Sequence, residues 1–286
     1  MGHVYLSEEQ RQFYEDASER RPFNNKGRPS ELTNAQWFSA ALSDFKSRES
    51  WQHQRDYNIW LDFWNHKVET ANDCRQLISR PGDGFSYERC PNLDKRCGTC
   101  QKVGYHDQCI VVSVDGACRN NGYDNAIAAY GIFVGHRSIH NDEGLVFNGT
   151  WETPTSQKAE LQAAIFALTW VLEMFENNPS WDIERVVIKA DSQYVVKGMT
   201  TWIWKWLRNG FRNVKGEPVV NGEMFDQLDD LIVGLNNAGV GVQFWHVPRE
   251  WNNAADAHAN WALDMETKGH VTSVPAELLE ELGLST

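Results

Sequence analysis

The sequence predicts an α/β domain, a mixed five-stranded sheet flanked by helices, behind a mainly helical N-terminal extension. Three observations predict it. Short apolar runs bounded by turn residues recur near 110–114, 128–134, 145–149, 185–190 and 241–247, as strands do. Stretches of helical periodicity separate the last three runs, which calls for helices on the faces of the sheet. The first three follow one another through short connections, which makes them antiparallel neighbours.

Residues 1 to about 30 are polar and rich in Arg, Asn and Glu, a composition that suits a loosely ordered arm. Thr33 or Asn34 can cap a helix carrying Trp37, Phe38, Ala41 and Phe45. Tyr57, Trp60, Leu61, Trp64 and Val68 then fall at i, i+3, i+4, i+7 and i+11, one apolar helical stripe. Core packing is the first reading of that stripe; a partner surface and aromatic rings offered to nucleic acid are the others. Residues 80–107, with Pro81-Gly82-Asp83-Gly84, read as a loop-rich connector.

After the strand at 110–114 comes a turn rich in Gly and Asn, then the second and third strands. Ser156 opens a long helix whose Leu161, Ile165, Leu168 and Leu172 face a core. Beyond the strand at 185–190 a helical stretch runs through Trp206, and another helix spans about 221–237. The last strand, at 241–247, leads into a helix beginning near Asn252. The expected division is an extension over 1–108, a domain carrying the chemistry over 109–270, and a tail over 271–286.

Four acids point to that chemistry. Asp115 ends the run Ile110-Val111-Val112-Ser113-Val114, Asp191 ends Val186-Val187-Ile188-Lys189-Ala190, Glu160 lies in the first turns of the long helix, and Asp256 follows His246 by ten residues. If the two strands run parallel and adjacent, Asp115 and Asp191 share one sheet edge, and Glu160 and Asp256 reach in from helices. Carboxylates so close raise one another's pKa unless a cation neutralises them. Mg²⁺, which takes oxygen ligands, answers that need. Two ions held by shared carboxylates would serve phosphodiester hydrolysis. Any one of these acids alone is more often a surface residue; the four in context carry the argument.

The net charge of −12 argues against holding nucleic acid by bulk electrostatics. The deficit is uneven, −1 over residues 1–108 and −11 over 109–286, so nucleic-acid binding would need a local basic patch. No apolar run is long enough to span a membrane, and the N-terminus lacks the charged-then-apolar pattern of a secretory signal. The expectation is an intracellular protein with no membrane partner and a monomeric state; nucleus, cytoplasm and mitochondrion are not distinguished.

The six cysteines, Cys74, Cys90, Cys97, Cys100, Cys109 and Cys118, cluster in the connector and first strand. Without a secretory signal, disulfides are the weaker reading. Cys90, Cys97, Cys100, His106 and Cys109 have the short knuckle and nearby soft ligands of a structural zinc site. The spacing is not a paired-knuckle pattern, and unligated reduced thiols are the other reading.

The residues resemble ribonuclease H of the type 1 class, and especially its filamentous-fungal members. The matching pieces are Val114-Asp115-Gly116-Ala117-Cys118 with Asn120-Asn121-Gly122, Thr155-Ser156-Gln157-Lys158-Ala159-Glu160-Leu161, and Asp191-Ser192-Gln193-Tyr194-Val195-Val196. They continue through Trp202, Trp206, Asn209-Gly210-Phe211 and Asn221 to His246-Val247-Pro248-Arg249-Glu250-Trp251-Asn252-Asn253-Ala254-Ala255-Asp256. Order and spacing hold over 110 to about 265, somewhat more than half the chain.

The resemblance implies a ribonuclease-H-like fold and cleavage of the RNA strand of an RNA/DNA hybrid, leaving 3′-hydroxyl and 5′-phosphate ends. It places one Mg²⁺ at Asp115, Glu160 and Asp191 and a second at Asp115 and Asp256, with Mn²⁺ as a substitute. His246 matches the family's mobile histidine, which assists proton transfer or product departure. Asn121, Ser156 and Gln157 match minor-groove contacts, with Cys118 and Gln193 nearby, and Asn252, between His246 and Asp256, is a further substrate-binding residue. Ser156 stands where Asn is more usual. Thr155 and Asn221 match a pocket for a DNA phosphate, where Thr153 replaces the Arg of some eukaryotic relatives and supplies no charge.

The segment from Trp202 to Lys215 resembles the family's substrate-handling protrusion. Trp202 and Trp206 share a helical face for stacking beside Phe211, and Lys205, Arg208, Arg212 and Lys215 can meet phosphates. The extension does not resemble the small hybrid-binding domain of many eukaryotic relatives. Two other functions fit the resemblance, a ribonuclease-H-like binding module of weak activity and a retroelement-derived domain. The full set of acids with His246 argues against the first, and the N-terminal region against the second.

Overall fold

The computed structural model describes residues 55–57, 77–90, 96, 103–146, 153–178 and 180–268. The predicted helix carrying Trp37, the stripe beyond Tyr57, Cys74, Cys97, Cys100 and the tail over 271–286 lie outside the described residues.

The described chain builds one mixed sheet of seven strands, with β1 at Ile78–Ser79, β2 at Tyr87–Arg89, β3 at Tyr105–Arg119, β4 at Ile127–Phe133, β5 at Asp142–Leu145, β6 at Arg185–Ala190 and β7 at Gly241–His246. The helices are α1 at Ser156–Asn177, α2 at Gln193–Lys197, a π turn at Gly198–Trp202, α3 at Ile203–Asn209, α4 at Gly222–Asn237 and α5 at Asn253–Lys268. Four of the five expected strands are present, β6 with the expected bounds and β3 longer at both ends; the third, expected over 145–149, meets β5 only at Leu145, and 147–149 lie outside the described residues. No helix of the described residues is long and apolar enough to cross a membrane.

Strand β3 is the spine. Along one edge it pairs antiparallel with β2 and then β4, and along the other it pairs parallel with β6, which pairs parallel with β7. Side chains alternate across a strand, and the core divides accordingly. Ile110, Val112, Val114, Val186, Ile188, Ala190, Val242 and Phe244 meet α1 and α4 on one face. Cys109, Val111, Val187, Trp245 and Val247 line the other with Tyr57 and Ile78. Helix α5 packs on that sheet through Ala254 and Ala255 against Phe133, and through Ala262 and Leu263 against Ala129.

Two expectations change. The boundary set between 108 and 109 falls inside β3, and the connector contributes β1 and β2 to the sheet. Both strands are too short to show a periodicity, and Tyr87, at the β2–β3 pairing, is buried in the main core. The extension is also anchored. Asp56 forms a parallel bridge with Phe244, Tyr57 donates a hydrogen bond to Glu88 Oε1 at 2.8 Å, and Arg55 Nη1 reaches Asp229 Oδ1 on α4 at 2.7 Å with its guanidinium over the Trp204 ring.

The side chains of Arg55 and Asp229 are 9% and 10% exposed. Removing one partner of a buried pair strands the other charge. Arg55→Met is therefore expected to lower stability by about 3 kcal/mol, read from the urea midpoint; an unchanged midpoint would mean that the anchor contributes nothing.

Candidate metal centre and nucleic-acid interface

Two glycines set the distances at the site. Gly116 follows Asp115 on β3, and a Cβ there would lie 2.1 Å from the backbone nitrogen of Glu160. Gly131 is paired with Asp115 on β4, and a Cβ there would lie 2.3 Å from the carbonyl oxygen of Ala255. Each lets the backbone of a helix bearing an acid, α1 or α5, rest on the sheet beside Asp115. Thr155 starts α1 by accepting from Lys158 N at 3.2 Å, which satisfies one of the open N–H groups of the first turn.

Carboxylate oxygens of Asp115, Glu160 and Asp191 all lie within 4.8 Å of one another. Asp115 is buried. Burial, then the charges of Asp191 and Asp256, push its carboxyl up to about 8. Glu160 is pushed well above the usual carboxylate range by burial, then by Asp115 and Asp191. One Glu160 oxygen takes the Gly116 amide, whereas Oε2 is buried with no hydrogen-bond partner. An all-oxygen donor set, crowded, partly buried and with a lone pair left unsatisfied, fits a hard divalent cation.

Of the other acids, Asp256 stands apart from that trio, on the first turn of α5, with Oδ1 accepting from Arg249 Nη2 at 2.5 Å. His246, half-buried at the end of β7, pairs in register with Ala190, the residue before Asp191. Asn252, expected to touch substrate, is buried. Its Nδ2 donates to Val114 O at 2.9 Å and to Asp191 Oδ1 at 3.1 Å. It ties β3 to Asp191 and positions that carboxylate, so its amide is not presented to a hybrid.

Sequence reasoning missed Lys189, a buried residue of β6 whose Nζ donates to Trp251 O at 2.8 Å and fixes the turn before Asn252. A lysine inside an apolar run two residues before Asp191 was the available signal.

Most residues expected at the nucleic-acid interface cluster around the start of α1 and over α2–α4. Asn121 is exposed and its Oδ1 accepts from Ser156 N at 3.3 Å, while Gln157 is exposed beside it. Cys118 and Thr153 are half-buried; Cys118 Sγ lies 3.9 Å from Pro154 O, and Thr153 O accepts from Lys158 Nζ at 3.5 Å. Gln193 is exposed and accepts from Lys197. Trp202, 37% exposed, lies 5.8 Å from Trp206 between ring centroids, and Trp206 rests on Phe225 and Phe211. Trp206 is thus the support and Trp202 the open ring.

Tyr194, not singled out from the sequence, accepts from Asn221 Nδ2 at 3.2 Å and packs against Trp202. It links the phosphate-pocket residue to the stacking face. Lys205, Arg208, Arg212 and Lys215 are exposed, and Arg212 Nη1 donates to Gly216 O at 2.8 Å.

Of the zinc candidates, Cys109 is buried in β3. Its Sγ accepts from Arg185 Nε at 3.2 Å, and burial with the charge of Glu88 pushes the thiol up to about 12. Among the described residues the acidic trio is the one His/Cys/Asp/Glu group close enough to hold a metal, so Cys90, His106 and Cys109 do not converge.

The family model described as RNase H matches residues 107–264. Ribonuclease H1 of Rattus norvegicus is 32% identical over 186 residues, which are 64% of this chain and 60% of the rat protein. A ribonuclease H of Clostridium botulinum is 30% identical over 156 residues, 54% of this chain and 95% of the bacterial one. The chain thus spans less than two thirds of the rat protein. Among solved structures, an RNase H1 isolated from compost aligns with 56% of this chain and 98% of its own, at 22% identity and a TM-score of 0.40.

Proposed function

The chain belongs to the RNase H family, whose model covers more than half of it, and on that premise we propose that it is an endoribonuclease cutting the RNA strand of RNA/DNA hybrids to 3′-hydroxyl and 5′-phosphate ends. The observation that carries this reading is the convergence of Asp115 inside β3, Asp191 just past the parallel strand β6 and Glu160 near the start of a helix. We assign Mg²⁺ as the natural ion and Mn²⁺ as its substitute. Asp115, Glu160 and Asp191 hold one ion, and Asp115 with Asp256 holds the second. When bound, such ions supply Lewis acidity and charge neutralisation for phosphodiester hydrolysis.

The remaining work falls to the chain. Asn252 keeps Asp191 oriented, and Lys189 secures the turn that carries Asn252. His246, beside the strand end that bears Asp191, is placed to carry a proton to or from the departing product. Asn121, Ser156 and Gln157 face the minor groove, where the 2′-hydroxyls distinguish RNA from DNA. Thr155 and Asn221 receive a phosphate of the DNA strand, and Trp202 stacks on a sugar or base.

The exposed cations of the segment from Trp202 to Lys215 are Lys205, Arg208, Arg212 and Lys215, with Glu217 exposed just beyond them. The affinity exponent falls by about 0.9 per neutralised phosphate on a B-DNA scale. Hybrid binding in Ca²⁺ should accordingly show a log–log salt slope no steeper than about −3.6; a steeper one would mean that further basic residues join the interface.

The test is incubation of the full chain with end-labelled hybrid, duplex RNA and single-stranded RNA, in Mg²⁺ and in chelator, beside Asp191→Asn. RNA cut only in the hybrid, only with metal and not by the variant supports the proposal. Binding without cutting in either Mg²⁺ or Mn²⁺ would contradict it.

A further inference from the structure

The three-acid trio leaves Asp256 with a different partner. Arg249 leaves the short turn Arg249–Trp251 between β7 and α5 and reaches Asp256 through Nη2 and Oδ1 at 2.5 Å. The two ends of this pair are unlike. The Arg249 side chain is 74% exposed and can swing into solvent, whereas that of Asp256 is 30% exposed on a helix fixed to the sheet at Gly131.

The turn itself is fixed, because Lys189 holds Trp251 O and Asn252 is pinned to Val114 O and Asp191. A mobile cation on a fixed pedestal therefore sits against the carboxylate that completes the second ion position.

We propose that Arg249 is a resident counter-cation for the Asp256 limb of the site, neutralising that carboxylate while the second ion position is unfilled and releasing it when a divalent ion enters. This rests on the assignment of the acids to divalent ions. The exchange makes the second ion bind more weakly than Asp115 and Asp256 alone would allow, while the ion at Asp115, Glu160 and Asp191 is affected less. A partly exposed ion pair contributes about 0.2–1 kcal/mol, and 1.4 kcal/mol is a factor of ten. Removing the competitor should then tighten the weaker ion by about 1.4- to fivefold.

The measurement is Mn²⁺ binding to the full chain without nucleic acid, followed by calorimetry and by loss of the free-ion electron paramagnetic resonance signal. Wild type is compared with Arg249→Met, Asp256→Asn and the double variant. Support is a weaker ion that tightens in Arg249→Met, weakens in Asp256→Asn and is indifferent to Arg249→Met once Asp256→Asn is present. A second ion that appears only in Arg249→Met supports it as well.

Unchanged or weakened Mn²⁺ binding in Arg249→Met overturns the proposal, as does an equal effect in the Asp256→Asn background. A raised KM for hybrid in Arg249→Met with unaltered ion binding would make Arg249 a phosphate contact and overturn it too. If wild type and Arg249→Met both bind no Mn²⁺ at the acids, the assignment of the metal site itself fails, which is a separate result.

Discussion

Replacing Asp115 with Asn should abolish hydrolysis and, in chelator, make the protein more stable at pH 8. Asp115 belongs to both proposed ion positions, so its loss removes ligands from each. Metal-ion catalysis contributes several kcal/mol to the transition state, and 1.36 kcal/mol is a factor of ten in rate. The expected loss is on the order of a thousandfold or more.

The stability effect has the opposite direction for a physical reason. In the metal-free protein Asp115 titrates near 8, well above its ordinary value of 3.8, so the folded state holds a proton that the unfolded chain has released. Stability is then fullest below the unfolded value and is lost as pH rises towards 8, with a slope of at most about 1.4 kcal/mol per pH unit for this one group. Asp115→Asn lacks that loss. Urea midpoints in chelator at pH 5.5 and pH 8 should lie closer together in the variant than in the wild type, with buried Glu160 keeping part of the dependence in both, and Mg²⁺ should raise the wild-type midpoint alone at pH 8. Equal pH dependence in the two proteins would mean that the Asp115 carboxyl is ordinary and the site is not strained towards a cation.

Gly116→Ala is the second large effect, and it removes no functional group. The added methyl would lie 2.1 Å from the Glu160 nitrogen and 2.4 Å from the Ala159 carbonyl carbon, both backbone atoms of α1 that no side-chain rotation can clear. The helix must retreat, at a cost of about 1–3 kcal/mol for an overpacked core. With it goes the spacing between Glu160 and Asp115, and a displacement of 1 Å at reacting groups can cost about a hundredfold in rate. The variant should fold with a lowered urea midpoint, bind Mn²⁺ more weakly and cut hybrid at about a hundredth of the wild-type rate. Full activity would show that Glu160 does not need its present distance from Asp115.

Legibility in the sequence followed the range of the interactions. Strand β6 and helix α1 were readable because an apolar run and the recurrence of Leu161, Ile165, Leu168 and Leu172 are local signals. The parallel pairing of the strands that bear Asp115 and Asp191 was readable too, with Val112 opposite Ile188 and Asp191 just past β6, but β3 continues to Arg119 by pairing with β4, so Asp115 lies inside its strand and not at its end. Strands β1 and β2 were not readable; two and three residues carry no period, and their pairing is decided by Tyr87 entering a core built mainly from residues after 109.

The anchoring of Arg55 on Asp229 and of Tyr57 on Glu88 joins residues far apart in the chain, and nothing near Arg55 announces its partner. Gly131 looks like any strand glycine until α5 is seen lying on it. Asn252 was read as a substrate contact because of the motif it sits in, whereas its burial makes it a support for Asp191.

The central claim is that Asp115, Glu160 and Asp191 converge because a divalent ion completes them. The most direct test is the anomalous difference map of a crystal of the full chain soaked in Mn²⁺. A peak bounded by these three carboxylates is expected, with oxygen ligands at about 2.1 Å, near the Mg²⁺ distance, and no such peak in Asp115→Asn. A map without density at the three acids, from a protein that still cuts hybrid, would contradict it.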